Sequence, residues 1–262
     1  MKNTSLITII SALLFVSCAT TEGVLVQDDR GKFVVPITKP SYSYTIAGSD
    51  RVYTQSSCAD KSIAPDNKPV VYASPVQDII IDGIKNEIFT TEPITITGKS
   101  GDSVIYLGTG NGGLYIFADI ADKTPGMNNN TGKDIKNGDA LEIIFSTALP
   151  EAGRTILGVH DHRVVIKASE NPEGYSYTLD APLDRGQYFY KKNKSGYTLE
   201  AVIPWHNFKV GCLCGIKNRN LNFDIAVIDA ASGSLPVKIY PWSKQDDYRV
   251  NPSRWGYVFI RL

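Results

Sequence analysis

The stretch GLYIFADIAD, residues 113–122, decides the fold class of this chain. Leu114 and Ile116 stand two positions apart, and the same spacing of apolar residues returns in GDALEIIFS (138–146) and GYTLEAVIPW (196–205). Side chains that alternate with a period of two line one face of an extended strand. We therefore predict β-strands in all three stretches, each with one face directed into a core.

Working outward from these three, ten runs rich in Val, Ile, Tyr and Phe are separated by clusters of Gly, Pro, Asn and Asp. No segment between them has a helical period long enough for a crossover between parallel strands. We predict an all-β fold, an antiparallel β-sandwich of the immunoglobulin or jelly-roll kind, with one helical turn at residues 204–208. The runs are 103–107, 114–120, 140–145, 155–159, 164–167, 175–179, 197–203, 221–228, 237–240 and 257–260. The predicted inward positions are Leu114, Ile116, Ile143, Phe145, Leu199, Ala201, Phe223 and Ile225.

The N-terminus has the pattern of an export signal. Lys2 precedes an uncharged, mostly apolar run over residues 6–16, too short for a membrane-spanning helix and typical of a secretory signal. The sequence Leu14-Phe15-Val16-Ser17-Cys18 resembles the lipobox of bacterial lipoproteins. This resemblance implies a signal peptide at 1–17, acylation of Cys18, and a lipid anchor in the cell envelope, the outer membrane being favoured over the inner. Ordinary secretion without acylation is the alternative.

Domain organisation follows from composition. Residues 18–75 are polar and interrupted by five prolines, which predicts a tether with little regular structure, followed by one β domain at 76–262. The 27 Lys and Arg residues balance the 27 Asp and Glu residues, so the chain lacks the basic surface of a nucleic-acid-binding protein. The sequence allows either one disulfide bond among Cys58, Cys212 and Cys214 or three reduced cysteines.

Six motifs, in order, resemble the successive signatures of the family 9 carbohydrate-binding modules. They are IIIDGIKNEIF, GLYIFADIAD, GDALEIIFS, GYTLEAVIPW, LNFDIAVIDA and the pair YPWS and NPSRWGYVFI. The resemblance implies a non-catalytic, glycan-binding β-sandwich. Independently of it, Asp82-Gly83 predicts a tight turn, because glycine tolerates the positive φ that such turns require.

The resemblance also implies a binding site. In the family, two tryptophans enclose the terminal sugar, and a carboxylate and an arginine hydrogen-bond its hydroxyls. Glu142 matches the carboxylate, Tyr248 is nearest to the second tryptophan with Arg249 beside it, and Arg163 is the nearest substitute for the arginine. The first tryptophan has no counterpart, since residues 132–139 contain no aromatic side chain.

Other polar residues allow further sites. Asp119, Asp122, Asp139 and Asp229 recur at strand ends, where solvated turn carboxylates are one interpretation. Structural calcium, which the family resemblance would also allow, is the other, with Asp122 and Asp139 as the ligands, and no other cofactor is predicted. His160-Asp161-His162 is either a hairpin turn or half of a metal site that His206 would join.

Catalysis, contact with another protein and haem binding are the rival functions to weigh. No nucleophile elbow or phosphate-binding glycine loop is present, so we predict that the chain is not an enzyme. A surface lipoprotein whose sandwich contacts another protein is the main alternative to glycan binding. A haem-binding sandwich of the type found in dehydrogenase subunits is a minor one, since Met127 is the one methionine after the signal peptide.

Overall fold

The computed structural model describes residues 68–76, 79–86, 89, 91–110, 112–148, 153–208, 219–231 and 236–260, and four strands nearer the N-terminus. Those strands form two antiparallel hairpins, β1 (Gly23–Asp28) with β2 (Gly31–Pro36) and β3 (Tyr42–Thr45) with β4 (Val52–Gln55). These four strands lie within the range that was predicted to have little regular structure. The role of residues 18–75 as a tether stays a prediction. Cys18 and the other three cysteines lie outside the described residues.

A single sheet contains the other thirteen described strands. Within the described ranges, three short 3-10 turns accompany them, at Gly132–Asn137, Trp205–Phe208 and Pro252–Arg254, and the second of these confirms the predicted helical turn. No described helix is long and apolar enough to cross a membrane. The strands are β5 (Val70–Pro75), β6 (Ile94–Gly98), β7 (Gly101–Thr109), β8 (Gly113–Ala121), β9 (Ala140–Ser146), β10 (Asp161–Lys167), β11 (Gly174–Ser176), β12 (Ala181–Pro182), β13 (Gln187–Lys192), β14 (Gly196–Pro204), β15 (Arg219–Ala230), β16 (Val237–Pro241) and β17 (Gly256–Ile260).

The sheet curls back on itself at β5. Residues 70–73 of this strand pair in parallel with β17, whereas Ser74 and Pro75 pair in parallel with β7. The strand order is β12-β11-β10-β9-β15-β17-β5-β7-β8-β14-β13, with β16 beside β15 and β6 beside β7. Strand β5 therefore joins two halves, and the sheet begins at Val70, ahead of the predicted domain start at residue 76.

One apolar core lies between the two halves. Its side chains come from β9, β10 and β15 on one side and from β7, β8 and β14 on the other. All the predicted inward positions are buried in it, namely Leu114, Ile116, Ile143, Phe145, Leu199, Ala201, Phe223 and Ile225. The predicted all-β class is thus confirmed, and the period of two located the core correctly.

One predicted strand, 155–159, is wrong. The segment is a loop in which Ile156 and Val159 are 77% and 86% exposed. Arg154 holds this loop by donating to the carbonyl of Ile156 at 3.1 Å and by an ion pair with Asp161. High β-propensity does not form a strand without a partner edge, and pairing with β9 starts only at Asp161.

Candidate functional site

Glu142 lies on the outer face of the half that contains β9. Because Ile143 and Phe145 on the same strand enter the core, Glu142 and Ile144 project to the opposite side. The side chain is nevertheless 0% exposed. A buried carboxylate needs hydrogen-bonding partners, and these come from two different segments of the chain.

Three side chains converge on this carboxylate. Arg163 of β10 donates from Nε to Glu142 Oε1, and the hydroxyl of Tyr248 donates to Oε2. Arg249 donates from Nε to Oε1 at 3.1 Å and to Oε2 at 2.9 Å, and from Nη2 to Oε2 at 2.7 Å. The structure thus brings together Glu142, Arg163, Tyr248 and Arg249, which we call the carboxylate cluster.

Tyr248 does not offer the exposed stacking face that its match to a family tryptophan implied. The side chain is 2% exposed and packs with Ile144, Ala226 and Trp255. Burial, and then the nearby charge of Glu142, raise the pKa of Tyr248 well above its usual value. Its role in the cluster is therefore that of a hydrogen-bond donor fixed by packing.

Tyr177, which the sequence did not single out, supplies a partly exposed ring beside the cluster. The guanidinium of Arg163 lies 4.4 Å from the ring centroid, and the backbone N–H of Tyr177 donates to the carbonyl of Arg163 at 2.8 Å. The phenol donates to the carbonyl of Lys133 at 2.6 Å, in the segment where the family's first tryptophan is missing. Burial raises the pKa of Tyr177 to about 12, so the phenol stays protonated at neutral pH.

A second buried carboxylate, Asp224, lies on the same outer face. It stands opposite Ile144 in the ladder between β15 and β9, and its Oδ1 accepts from the backbone N–H of Ile225 at 2.8 Å. The hydroxyl of Ser243 donates to its other oxygen. Burial raises the pKa of Asp224 to about 6.

The predicted calcium ligands lie close together, apart from the carboxylate cluster. Asp122, Asp139 and Asp229 each place one carboxylate oxygen within 4.8 Å of the others. Asp139 also accepts from the backbone N–H groups of Met127 and Ala230, both at 2.7 Å. Burial, reinforced by the charge of Asp122, raises the pKa of Asp139 to about 7. Asp119 does not join the group and accepts from the side chain of Asn193 at 2.9 Å instead.

The three histidines do not form a metal site. His162 is buried against Phe145 and Phe208, with ring centroids 5.2 and 4.9 Å away, and burial lowers its pKa to about 4. His206 instead approaches Asp184, with Nε2 and Oδ2 2.9 Å apart. Among the described residues, the one group of His, Cys, Asp or Glu side chains placed to hold an ion is the aspartate group above.

The described part of the chain is thus an all-β domain with an ion-paired carboxylate and a partly exposed tyrosine on one outer face. Residues 110–261 match the model of the carbohydrate family 9 binding domain-like family, and the chain belongs to this family.

Two solved structures have a similar fold. One is a family 9 carbohydrate-binding module from Caldicellulosiruptor kristjanssonii in complex with cellotriose. It is 18% identical with a TM-score of 0.55, and the match covers 73% of this chain and 93% of that one. The other, from the same organism in complex with glucose, is 18% identical with a TM-score of 0.54, over 73% and 95% of the two chains. No curated protein matches this chain.

Proposed function

We propose that this protein binds carbohydrate without catalysing a reaction on it, and that the carboxylate cluster with Tyr177 is the binding site. One observation carries the proposal. Glu142, which the sequence resemblance matches to the family's sugar-binding carboxylate, is paired with two arginines, and one of them lies over a partly exposed tyrosine ring. The cellotriose and glucose complexes of the two similar modules support a sugar as the ligand class.

The chemistry of the site suits a pyranose. Flat apolar C–H faces of sugars pack on aromatic rings, and Tyr177 provides such a ring. Guanidinium N–H groups donate to hydroxyl and ring oxygens, and both arginines are fixed in position by Glu142. One tyrosine ring stands in place of a pair of tryptophans and offers a smaller stacking surface. We therefore expect weak binding, with a dissociation constant of about 1 mM.

A glycan array followed by calorimetry tests the proposal. We expect the wild-type chain to bind at least one glycan and Arg163→Gln to lose most of that binding, because the variant removes a positioned donor. Arg185→Gln is the matched control, since Arg185 is 84% exposed and its guanidinium lies 3.8 Å from Asp184, away from the cluster. A wild-type chain that binds no glycan, or an Arg163→Gln variant that binds as well as wild type, contradicts the proposal.

We extend the proposal to the fold and the anchor. The curled sheet acts as a two-sheet sandwich of the jelly-roll or immunoglobulin kind, which the single core between its halves supports. The Leu14 to Cys18 sequence supports a lipid anchor at Cys18 in the bacterial cell envelope. A fatty-acid analogue should label the wild type and not Cys18→Ser, and equal labelling of both contradicts the anchor.

Structural calcium is a further part of the proposal. Three carboxylates so close together repel one another, and calcium prefers oxygen ligands of this kind. The wild type should melt at a higher temperature in calcium than in the chelator EDTA. Asp139→Asn should remove this difference. Asp119→Asn, which changes an exposed aspartate, is the control and should keep the difference in melting temperature. A wild type that is insensitive to calcium contradicts this part.

Contact with another protein is a second candidate function, favoured by the apolar loop that replaces the predicted strand 155–159. Ile156, Leu157 and Val159 are 77%, 44% and 86% exposed. Exposed apolar residues in sequence can mark an interaction surface. A chain that binds no glycan but loses a co-purifying protein when Ile156 and Val159 are changed to Ser would favour this alternative.

A further inference from the structure

The carboxylate cluster contains more hydrogen-bond donors than acceptors. A carboxylate offers about four lone-pair positions. In Glu142 these face the N–H of Arg163 Nε, the N–H groups of Arg249 Nε and Nη2, and the hydroxyl of Tyr248. Because the carboxylate is also 0% exposed, it has no acceptor left for the hydroxyl of a sugar.

The arginines, by contrast, keep donors that no acceptor among the described residues engages. Within the described part of the chain, Arg163 donates from its side chain through Nε alone, and Arg249 through Nε and Nη2. Both side chains are partly open to solvent, at 25% and 29% exposure. Since both donate to the same Oε1 atom of Glu142, the two guanidinium groups are neighbours.

Nearby carboxylates are engaged elsewhere. Asp161 pairs with Arg154, and Asp247 pairs with Arg254 and accepts from Asn251. Asp180 accepts from the hydroxyl of Tyr175 at 2.7 Å. The two arginines of the cluster therefore share one carboxylate.

Positive charge also extends past the ring of Tyr177. The ammonium group of Lys136 lies 5.2 Å from its centroid, and Lys133 contributes the carbonyl that its phenol contacts. Neither lysine forms an ion pair within the described residues, although Asp134 lies between them in sequence and the buried Asp224 lies near Glu142. Lys133 and Lys136 thus add cationic donors beside the ring of Tyr177.

A neutral sugar would not use this arrangement fully, because each of its hydroxyls is a donor as well as an acceptor. An ionised carboxylate or sulfate is an acceptor only, and arginine recognises such planar or tetrahedral anions through two parallel N–H groups. We propose that the site binds an acidic glycan, in which a carboxylate or a sulfate contacts the free N–H groups of Arg163 and Arg249. This inference rests on the proposed carbohydrate-binding function and specifies its ligand class.

Calorimetry on the full chain tests the inference with matched pairs of sugars. The probes are trigalacturonate beside its methyl ester, and a sulfated disaccharide beside its desulfated form. We expect the acidic member of at least one pair to bind about ten-fold more tightly at low salt. The preference should shrink as ionic strength rises from about 0.05 M to about 0.5 M, because part of the attraction is screened.

A variant shows whether the preference arises at the cluster. Arg249→Gln should reduce the preference for the acidic member to about three-fold or less, and Arg185→Gln should leave it unchanged. An acidic preference that survives Arg249→Gln overturns the inference, since binding then occurs elsewhere. If that variant fails to fold, the salt dependence of the wild type decides, and a salt-independent preference overturns the inference.

The pairs also separate this inference from the function on which it rests. Neutral members that bind as tightly as the acidic ones overturn the acidic-glycan inference and leave carbohydrate binding in place. A chain that binds no member of these pairs, and no glycan on the array, overturns both.

Discussion

Glu142 is buried without being apolar because the chain surrounds it with donors from two segments distant in sequence. Arg163 comes from the neighbouring strand β10, and Tyr248 and Arg249 come from the turn after β16. Removing one partner of a buried ion pair typically costs about 3–5 kcal/mol, because it leaves the other charge uncompensated. Loss of one arginine still leaves Glu142 paired with the other, whereas a change at Glu142 removes both pairs, so single-arginine variants are the milder probes of function.

Tyr177 permits a sharper test at the residue scale. We expect Tyr177→Ala to weaken glycan binding by about 1–2 kcal/mol, because it removes the ring beside Arg163. Tyr177→Phe keeps the ring and loses only the hydrogen bond to the carbonyl of Lys133, so its affinity should stay close to wild type. Titration calorimetry measures both. Equal affinity for Tyr177→Ala and wild type would show that the ring does not contact the sugar.

His162 should make stability depend on pH. Its ring is buried between Phe145 and Phe208, its Nδ1 has no hydrogen-bond partner among the residues that the structure describes, and burial lowers its pKa from 6.5 to about 4. Because the pKa of His162 is lower in the folded chain, the unfolded chain takes up a proton at this histidine more readily than the folded chain does. The stabilisation by neutral His162 is therefore complete above pH 6.5 and is lost as pH falls through the window from 6.5 to about 4.

The full effect amounts to about 3 kcal/mol once pH is below that window. Urea unfolding at several pH values should show a smaller loss in His162→Gln than in wild type. His206→Gln, which changes a partly exposed histidine, should follow wild type. A His162→Gln variant with the same acid sensitivity as wild type would place the proton uptake elsewhere.

At the scale of strands, alternation located the core well but not every strand. The central strands β8, β9, β14 and β15 were predicted because each alternates over a long run. Strand β5 was missed, since it is short, ends in a proline and follows a proline-interrupted segment. Its parallel pairing on two sides depends on partners that local sequence does not specify.

The candidate site, like the strands, was predicted only in part from the sequence. Resemblance to the family located Glu142, and proximity in sequence suggested Arg163 and Arg249, which the structure places together. Tyr177 could not be found in this way, because its position beside Arg163 depends on how the chain leaves β11 after pairing with β10. The burial of Tyr248 is likewise a tertiary effect, since Ile144 and Ala226 come from distant parts of the chain.

The predicted turn at Asp82-Gly83 allows a test at this scale. Gly83 has a φ of +78°, and a Cβ atom there would lie 2.1 Å from the ring of Phe189. The backbone N–H groups of Asp82 and Gly83 donate to Glu200 at 2.9 and 2.7 Å, so the turn is fixed onto β14.

Gly83→Ala should therefore lower the free energy of unfolding by more than about 2 kcal/mol, through positive-φ strain and the clash together. Gly153→Ala isolates the strain, because Gly153 has a φ of +73° and open space around it. Its cost should be about 1 kcal/mol. Chemical denaturation compares the two, and equal costs would mean that Phe189 moves aside.

At the scale of the molecule, β5 connects the two halves of the sheet. A fragment of residues 76–262 lacks this strand, which leaves β17 and β7 without their shared neighbour. A fragment of residues 68–262 should give a β-type circular dichroism spectrum and a cooperative melt, and 76–262 should not. A cooperative melt of the shorter fragment would show that β5 is dispensable.

The central claim is that a sugar binds at the carboxylate cluster on the outer face beside β9 and β10. Chemical-shift mapping by NMR, with isotope-labelled protein and the best glycan from the array, tests it most directly. The account predicts the largest shifts at Arg163, Tyr177 and Arg249, including the side-chain Nε signals of the two arginines. Shifts confined to β7, β8 and β13, with those three residues unaffected, would contradict it.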